Sequence, residues 1–116
     1  MKLFDTDAII SMVRANKYEY GSISVITVIE FLRGIKAEKR GAVKKLLEES
    51  FNVVWLDNDI IQLYCKIYQE LKEKGELIPD ADLLIAATAI SKNFDLISND
   101  THFEKIVQFG LKLKRE

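Results

Sequence analysis

Four carboxylates stand in this sequence at places where an apolar residue would be the ordinary choice. They come from four separate segments: Asp5, Glu30, Asp82 and Asp100. Carboxylates brought together repel one another, and several would hold protons unless a cation compensated their charge. Hard oxygen ligands without a Cys or His cluster favour Mg²⁺ or Mn²⁺ over Zn²⁺, and magnesium on a few carboxylates is the usual arrangement for handling phosphate esters. The set, rather than any one acid, predicts cation-dependent phosphoryl chemistry.

Two of these acids follow predicted strands. Asp5 comes directly after the short apolar segment Lys2–Phe4, and Asp100 comes two residues after the segment Asp95–Ser98. Ligands of parallel α/β sheets sit beyond the carboxyl ends of the strands. Both acids are therefore expected at the same edge of the sheet.

The other two acids lie on predicted helices. Glu30 is in the second turn of a helix that Ser24 caps, and it borders the apolar stripe of that helix. Asp82 opens an otherwise apolar helix and shares one face with small or apolar residues three, four and seven positions later. A carboxylate on such a face is expected to pack close to the sheet.

Strands and helices alternate along the chain, which predicts an α/β fold with three layers and a mostly parallel sheet of about five strands. We expect a single domain over residues 1–116. The predicted strands are 2–4, 20–23, 51–56, 95–98 and 111–113, and the predicted helices are 6–14, 24–34, 37–50, 57–74, 80–90 and 101–107. Thr6 or Asp7, Asp57 and Asp80 are the expected caps of three of these helices.

Composition excludes several classes of protein. The chain has 116 residues, one Cys and one His, so it holds neither an intramolecular disulfide nor a zinc site built on Cys and His. No segment resembles a membrane span or an export signal, so we expect a cytoplasmic protein with no membrane partner. A net charge of −1 disfavours a module held on nucleic acid by phosphate neutralisation alone.

Four segments, in order, resemble the PIN-domain ribonucleases, and most closely the VapC-type toxins of toxin–antitoxin pairs. The segments are LFDTDAII, SISVITVIEFLRGI, IPDADLLIAATAI and DLISNDTHFEKI. They resemble the family's opening Asp-Thr turn, its Ser-x-x-Thr-x-x-Glu helix, its Asp-x-Leu-Ile-Ala-Ala segment and its Ser/Thr-x-Asp-x-x-Phe strand end. Each is weak alone, but the four in order span nearly the whole chain.

The resemblance implies a PIN-like fold and an endoribonuclease that depends on one or two Mg²⁺ or Mn²⁺ ions. It also implies an RNA substrate, a homodimer, and inhibition by a small VapB-type antitoxin. Residue by residue, the family's metal-binding and catalytic acids fall on the four carboxylates named above. Its first-turn hydroxyl falls on Thr6 and its strand-end hydroxyl on Ser98, while Asp80 is an accessory acid.

Three alternatives stay open. The FDTDAII segment also resembles the Asp-x-Asp turn of haloacid-dehalogenase-type phosphatases, in which the first Asp is the nucleophile. A PIN-like fold kept as a non-catalytic binding or scaffold domain is the second, although retention of all four acids argues against it. The third is the same nuclease chemistry used in RNA maturation or decay, which a gene for a small antitoxin immediately upstream would separate from a toxin.

Other conspicuous residues have simpler interpretations. His102 is expected to be a surface or packing residue, and Cys65 a core residue. Trp55, Tyr64 and Tyr68 are expected to pack rather than to stack on bases.

Overall fold

A computed structural model, which describes residues 1–116, contains one sheet of five parallel strands. The strands are β1 (Lys2–Phe4), β2 (Ser22–Ser24), β3 (Asn52–Val54), β4 (Asp95–Ile97) and β5 (Lys112–Lys114), in the spatial order β3-β2-β1-β4-β5. In the centre of the sheet, Leu3 pairs with Leu96 and Phe4 with Ile97. Because β1 and β4 are central and parallel, whatever follows them lies at one edge of the sheet, as the sequence predicts.

Helices connect the strands. They are α1 (Thr6–Ala15), α2 (Val25–Arg33), α3 (Ala37–Ser50), α4 (Asn58–Glu73) and α5 (Asp80–Lys92), followed by a 3₁₀ helix over Thr101–Phe109. The predicted α/β class and the parallel five-stranded sheet are confirmed. None of the helices is both long and apolar enough to span a membrane.

The core lies on both faces of the sheet. Leu3 and Leu96 belong to a cluster formed with α4, α5 and the 3₁₀ helix, whereas Phe4 belongs to a second cluster formed with α1, α2 and α3. This follows from the pleat, because neighbouring residues of a strand point to opposite faces. With both faces covered, the free ends of the strands are the place where polar groups can gather.

Helix caps differ from the sequence prediction at two positions. Asp5, not Thr6 or Asp7, caps α1, because its Oδ1 accepts a hydrogen bond from the Ala8 amide at 2.9 Å. The prediction that Asp80 caps α5 is also wrong: Pro79 holds the capping position and Asp80 is the first helical residue. The cap predicted for α4 is confirmed, since the Asp57 side chain accepts from the Ile60 amide.

Two residues expected to pack are exposed. Cys65 is a free, exposed thiol, because the buried side of α4 carries Ile60, Ile67 and Leu71 and position 65 lies on another side of that helix. Trp55 follows the edge strand β3 and is 69% exposed. Both packing predictions were therefore wrong.

Gly21, the residue directly before β2, lies so close to β1 that a side chain would not fit there. A Cβ atom on Gly21 would lie 2.5 Å from Cε2 of the buried Phe4 ring and 3.1 Å from the Lys2 carbonyl oxygen. We expect Gly21→Ala to lower the free energy of unfolding by about 1–3 kcal/mol, as overpacking of a core does. Urea denaturation measures this change.

A matched variant tests that explanation. A Cβ atom on Gly41, in the interior of α3, would meet nothing within 4 Å. Gly41→Ala should therefore raise stability by about 0.5–1 kcal/mol. Equal effects of the two substitutions would contradict the steric explanation.

Candidate active site

Asp5 is the most buried of the four acids. It lies between the end of β1 and the start of α1 and is only 4% exposed. Burial raises the pKa of this carboxyl to about 6, even though hydrogen bonds from Ser98 and the Ala8 amide favour its charged form. The fold thus places this carboxyl group where burial disfavours its charged form.

Ser98 connects two of the acids. Its hydroxyl donates to Oδ2 of Asp5 and accepts from the Asp100 amide at 3.0 Å. The side chain is fully buried, directly after β4. Ser98 therefore fixes the position of Asp5 relative to the turn that carries Asp100.

Thr6 plays a comparable part for Glu30. Its hydroxyl donates to Oε1 of Glu30 at 2.8 Å, which joins the first turn of α1 to the middle of α2. Arg33, one turn further along α2, lies 3.8 Å from the other Glu30 oxygen. Glu30 thus reaches the strand edge from a neighbouring helix, where Thr6 orients it.

Asp82 and Asp100 meet around the side chain of His102. The His102 Nδ1 atom lies 3.0 Å from Oδ2 of Asp82 and 3.4 Å from Oδ1 of Asp100. Asp100 caps the 3₁₀ helix by accepting from the His102 amide at 2.9 Å, and this local turn positions the imidazole. Burial raises the pKa of Asp82, and the charges of Asp100 and Glu30 raise it further.

All four predicted acids line one cavity of about 220 Å³ at the carboxyl edge of the sheet. The lining residues are Asp5, Thr6, Asp7, Glu30, Arg33, Asp82, Ile85 and Asp100. The lining is largely acidic: Ile85 is its one apolar residue and Arg33 its one basic residue. A cavity of this composition attracts cations.

The donor set fits a hard divalent cation. The carboxylates come from four elements, and two of them have raised pKa values, so the protein alone does not compensate their charge. One ligand atom from each of Asp82, Asp100 and His102 can be chosen so that all three lie within 4.8 Å of one another. Carboxylate oxygens are the ligands that Mg²⁺ and Mn²⁺ share.

Two residues near this site differ from expectation, Asp80 in its position and His102 in its contacts. Asp80, the expected accessory acid, is exposed outside the cavity and accepts from the Tyr64 hydroxyl at 2.6 Å, which raises the pKa of Tyr64 to about 12. His102, expected to be a surface or packing residue, does lie at the surface, and its ring is directed at two acids of the cluster, which the sequence did not predict. No periodicity in the sequence signals this contact, because it depends on the 3₁₀ turn that Asp100 caps.

A comparison with known protein families matches the PIN domain over residues 2–108. Since the match covers most of the chain, the protein belongs to the PIN-domain family. The chain is 44% identical over 115 residues to Ribonuclease VapC1 of Methanocaldococcus jannaschii, which covers 96% of this chain and 85% of that protein. The relationship suggested by the four sequence segments is confirmed.

Two solved structures are similar to this chain over nearly its whole length. VapBC-1 from nontypeable Haemophilus influenzae is similar with a TM-score of 0.83 and 27% identity, over 98% of this chain and 96% of that one. DNA-bound VapBC from Salmonella typhimurium is similar with a TM-score of 0.81, over 98% of this chain and 96% of that one. At 23% identity, the second likeness shows the fold alone.

Proposed function

We propose that this chain is a divalent-cation-dependent endoribonuclease, the toxin of a VapBC-type toxin–antitoxin pair. The observation that carries the proposal is the meeting of Asp5, Glu30, Asp82 and Asp100 around one acidic cavity at the carboxyl edge of the sheet. The 44% identity to a protein named Ribonuclease VapC1 supports RNA as the substrate. The likeness to VapBC-1 from Haemophilus influenzae supports an antitoxin partner.

The chain's own residues have distinct parts in this proposal. The four acids would hold Mg²⁺ or Mn²⁺, which would activate a water molecule and offset the charge that develops on the scissile phosphate. Ser98 holds Asp5 in place, and Thr6 does the same for Glu30. Arg33 brings a positive charge to the rim, where it can attract an RNA phosphate.

The test is cleavage of total RNA by the purified chain with Mg²⁺ or Mn²⁺, with EDTA, and as the Asp82→Asn variant. We expect cleavage by the wild type with cation, none with EDTA, and a loss of at least ~10²-fold in Asp82→Asn, since even residues that only support a metal ligand are worth 10–100-fold. Asp59→Asn is the matched control, because Asp59 is exposed in the first turn of α4. Cation-independent cleavage that Asp82→Asn leaves unchanged would reject the proposal.

The partner is tested separately. We expect a small VapB-type protein to be encoded beside this gene, to co-purify with the chain and to suppress its cleavage of RNA. Size-exclusion chromatography of the chain alone should show the homodimer that the resemblance implies. Full activity in the presence of that small protein would favour RNA maturation or decay over a toxin.

A further inference from the structure

One side chain lies beside the acidic cavity, outside its lining, and differs chemically from the acids. His102 is the only histidine in the chain, and it is the only nitrogen ligand directed at the cluster of acids. It is 48% exposed, so burial in the core does not explain its orientation. The ring is instead aimed by the turn in which Asp100 accepts from the His102 amide.

The ligand atoms of Asp82, Asp100 and His102 lie within 4.8 Å of one another, close enough to bind a single ion. Ligand atoms at neighbouring vertices of an octahedron, each ~2.1 Å from the ion, lie ~3.0 Å apart. The His102 Nδ1 atom lies 3.0 Å from an Asp82 oxygen and 3.4 Å from an Asp100 oxygen. The second ring nitrogen makes no hydrogen bond within the protein, so only the two carboxylates that face Nδ1 favour a proton on that nitrogen. A cation bound by those carboxylates would remove that preference and leave Nδ1 free to bind the cation.

Resting on the cation dependence proposed above, we propose that His102 binds the divalent cation through Nδ1, together with Asp82 and Asp100. The consequence is selectivity. Imidazole is a good ligand for transition-metal ions, whereas Mg²⁺ favours oxygen donors. A site with one nitrogen and several carboxylate oxygens therefore prefers Mn²⁺ to Mg²⁺ more strongly than a site made of carboxylates alone.

Electron spin-echo spectroscopy of Mn²⁺ bound to the tag-free protein tests this directly. Because the chain has one histidine, a coupling from a directly bound imidazole ¹⁴N can come only from His102. We expect that coupling in the wild type and its loss in His102→Ala and His102→Asp. Wild-type protein that binds Mn²⁺ without this coupling would overturn the assignment.

Calorimetric titrations with Mn²⁺ and Mg²⁺ distinguish direct binding of the cation by His102 from a role in which His102 only positions Asp82. In His102→Ala, we expect Mn²⁺ affinity to fall by at least ~10-fold and Mg²⁺ affinity to fall less, since loss of a ligand should cost no less than loss of its outer-shell support. His102→Asp should restore binding of both ions without restoring the preference for Mn²⁺.

The outcomes distinguish this inference from the proposed function. If His102 only orients Asp82, affinity for both ions falls by the same factor in His102→Ala, and the inference fails while the nuclease proposal stands. If the wild type binds neither ion, the cation dependence itself fails.

Discussion

Asp5→Asn is expected to abolish RNA cleavage and, in the absence of divalent cations at pH 7, to make the protein more stable. The loss of activity follows because Asp5 is the most buried acid of the cavity and the variant removes its charge. We expect a decrease of at least ~10²-fold, since changes that only disturb the support of a metal ligand already cost 10–100-fold. Cleavage assays on total RNA with Mn²⁺ measure it.

The gain in stability follows from the raised pKa. The fold moves the pKa of Asp5 from 3.8 to about 6, so holding its charge at pH 7 costs up to about 3 kcal/mol. Asparagine removes that charge but still accepts from the Ala8 amide, because Asn caps helices about as well as Asp. We expect thermal unfolding in EDTA to shift upward by roughly 4–10 °C.

The pH dependence has a definite sign. Between pH 3.8 and about 6, the folded state retains the Asp5 proton that the unfolded state loses. The folded state then binds more protons, so the contribution of Asp5 to stability falls as the pH rises through this range. The advantage of Asp5→Asn should therefore be small near pH 4, grow up to about pH 6, and stay constant above it.

Asp57→Asn is a control that is expected to lower stability, whereas Asp5→Asn is expected to raise it. Asp57 caps α4 through the same type of hydrogen bond, but a hydrogen bond from Lys92 holds its pKa below the usual value. Removing that charge should lower stability at neutral pH. The explanation for Asp5 is wrong if both substitutions shift thermal unfolding in the same direction.

The four acids could be predicted from sequence because two simple rules place them. Acids that follow parallel strands meet at one edge, as Asp5 and Asp100 do, and a carboxylate beside the buried stripe of a helix turns toward the sheet, as Glu30 and Asp82 do. Neither rule requires knowledge of the tertiary structure. Both rules agree with the structure, in which the four acids line one cavity.

Other contacts could not be predicted because they depend on the exact course of single turns. The meeting of His102 with Asp82 requires the 3₁₀ turn that Asp100 caps, and no periodicity reveals such a turn. Asp80, by contrast, was predictable: it lies two positions before Asp82 on α5, and side chains at that spacing do not share a helix face. Cys65 was predictable as well, because Ile60, Ile67 and Leu71 define the buried side of α4 and exclude position 65 from it.

The bounds of the second strand show a further limit of prediction from sequence. The second strand was predicted at 20–23, but it covers Ser22–Ser24. Tyr20 suits a strand by type, yet its side chain is 83% exposed, and Gly21 lies close against Phe4. Strands of three residues carry too little alternation for sequence patterns to define their ends.

The second large effect expected is stabilisation of the protein by Mn²⁺, which should grow with pH. Carboxylates must be ionised to bind a cation, so protons compete with the metal wherever the pKa is raised. Asp5, with a pKa of about 6, holds a proton below that pH which the cation must displace, and burial raises the pKa of Asp82 in the same direction. Affinity for Mn²⁺ should therefore increase from pH 5 to pH 7 and then level off.

Thermal unfolding with and without Mn²⁺ at several pH values measures this. At a cation concentration ~100 times its dissociation constant, stability should rise by about 2.7 kcal/mol, because the cation binds only the folded state. At pH 5 the same concentration should stabilise the protein much less. Asp59→Asn should match the wild type, whereas Asp5→Asn should lose most of the response at every pH. A Mn²⁺ effect that is constant from pH 5 to pH 8 would show that Asp5 does not bind the cation.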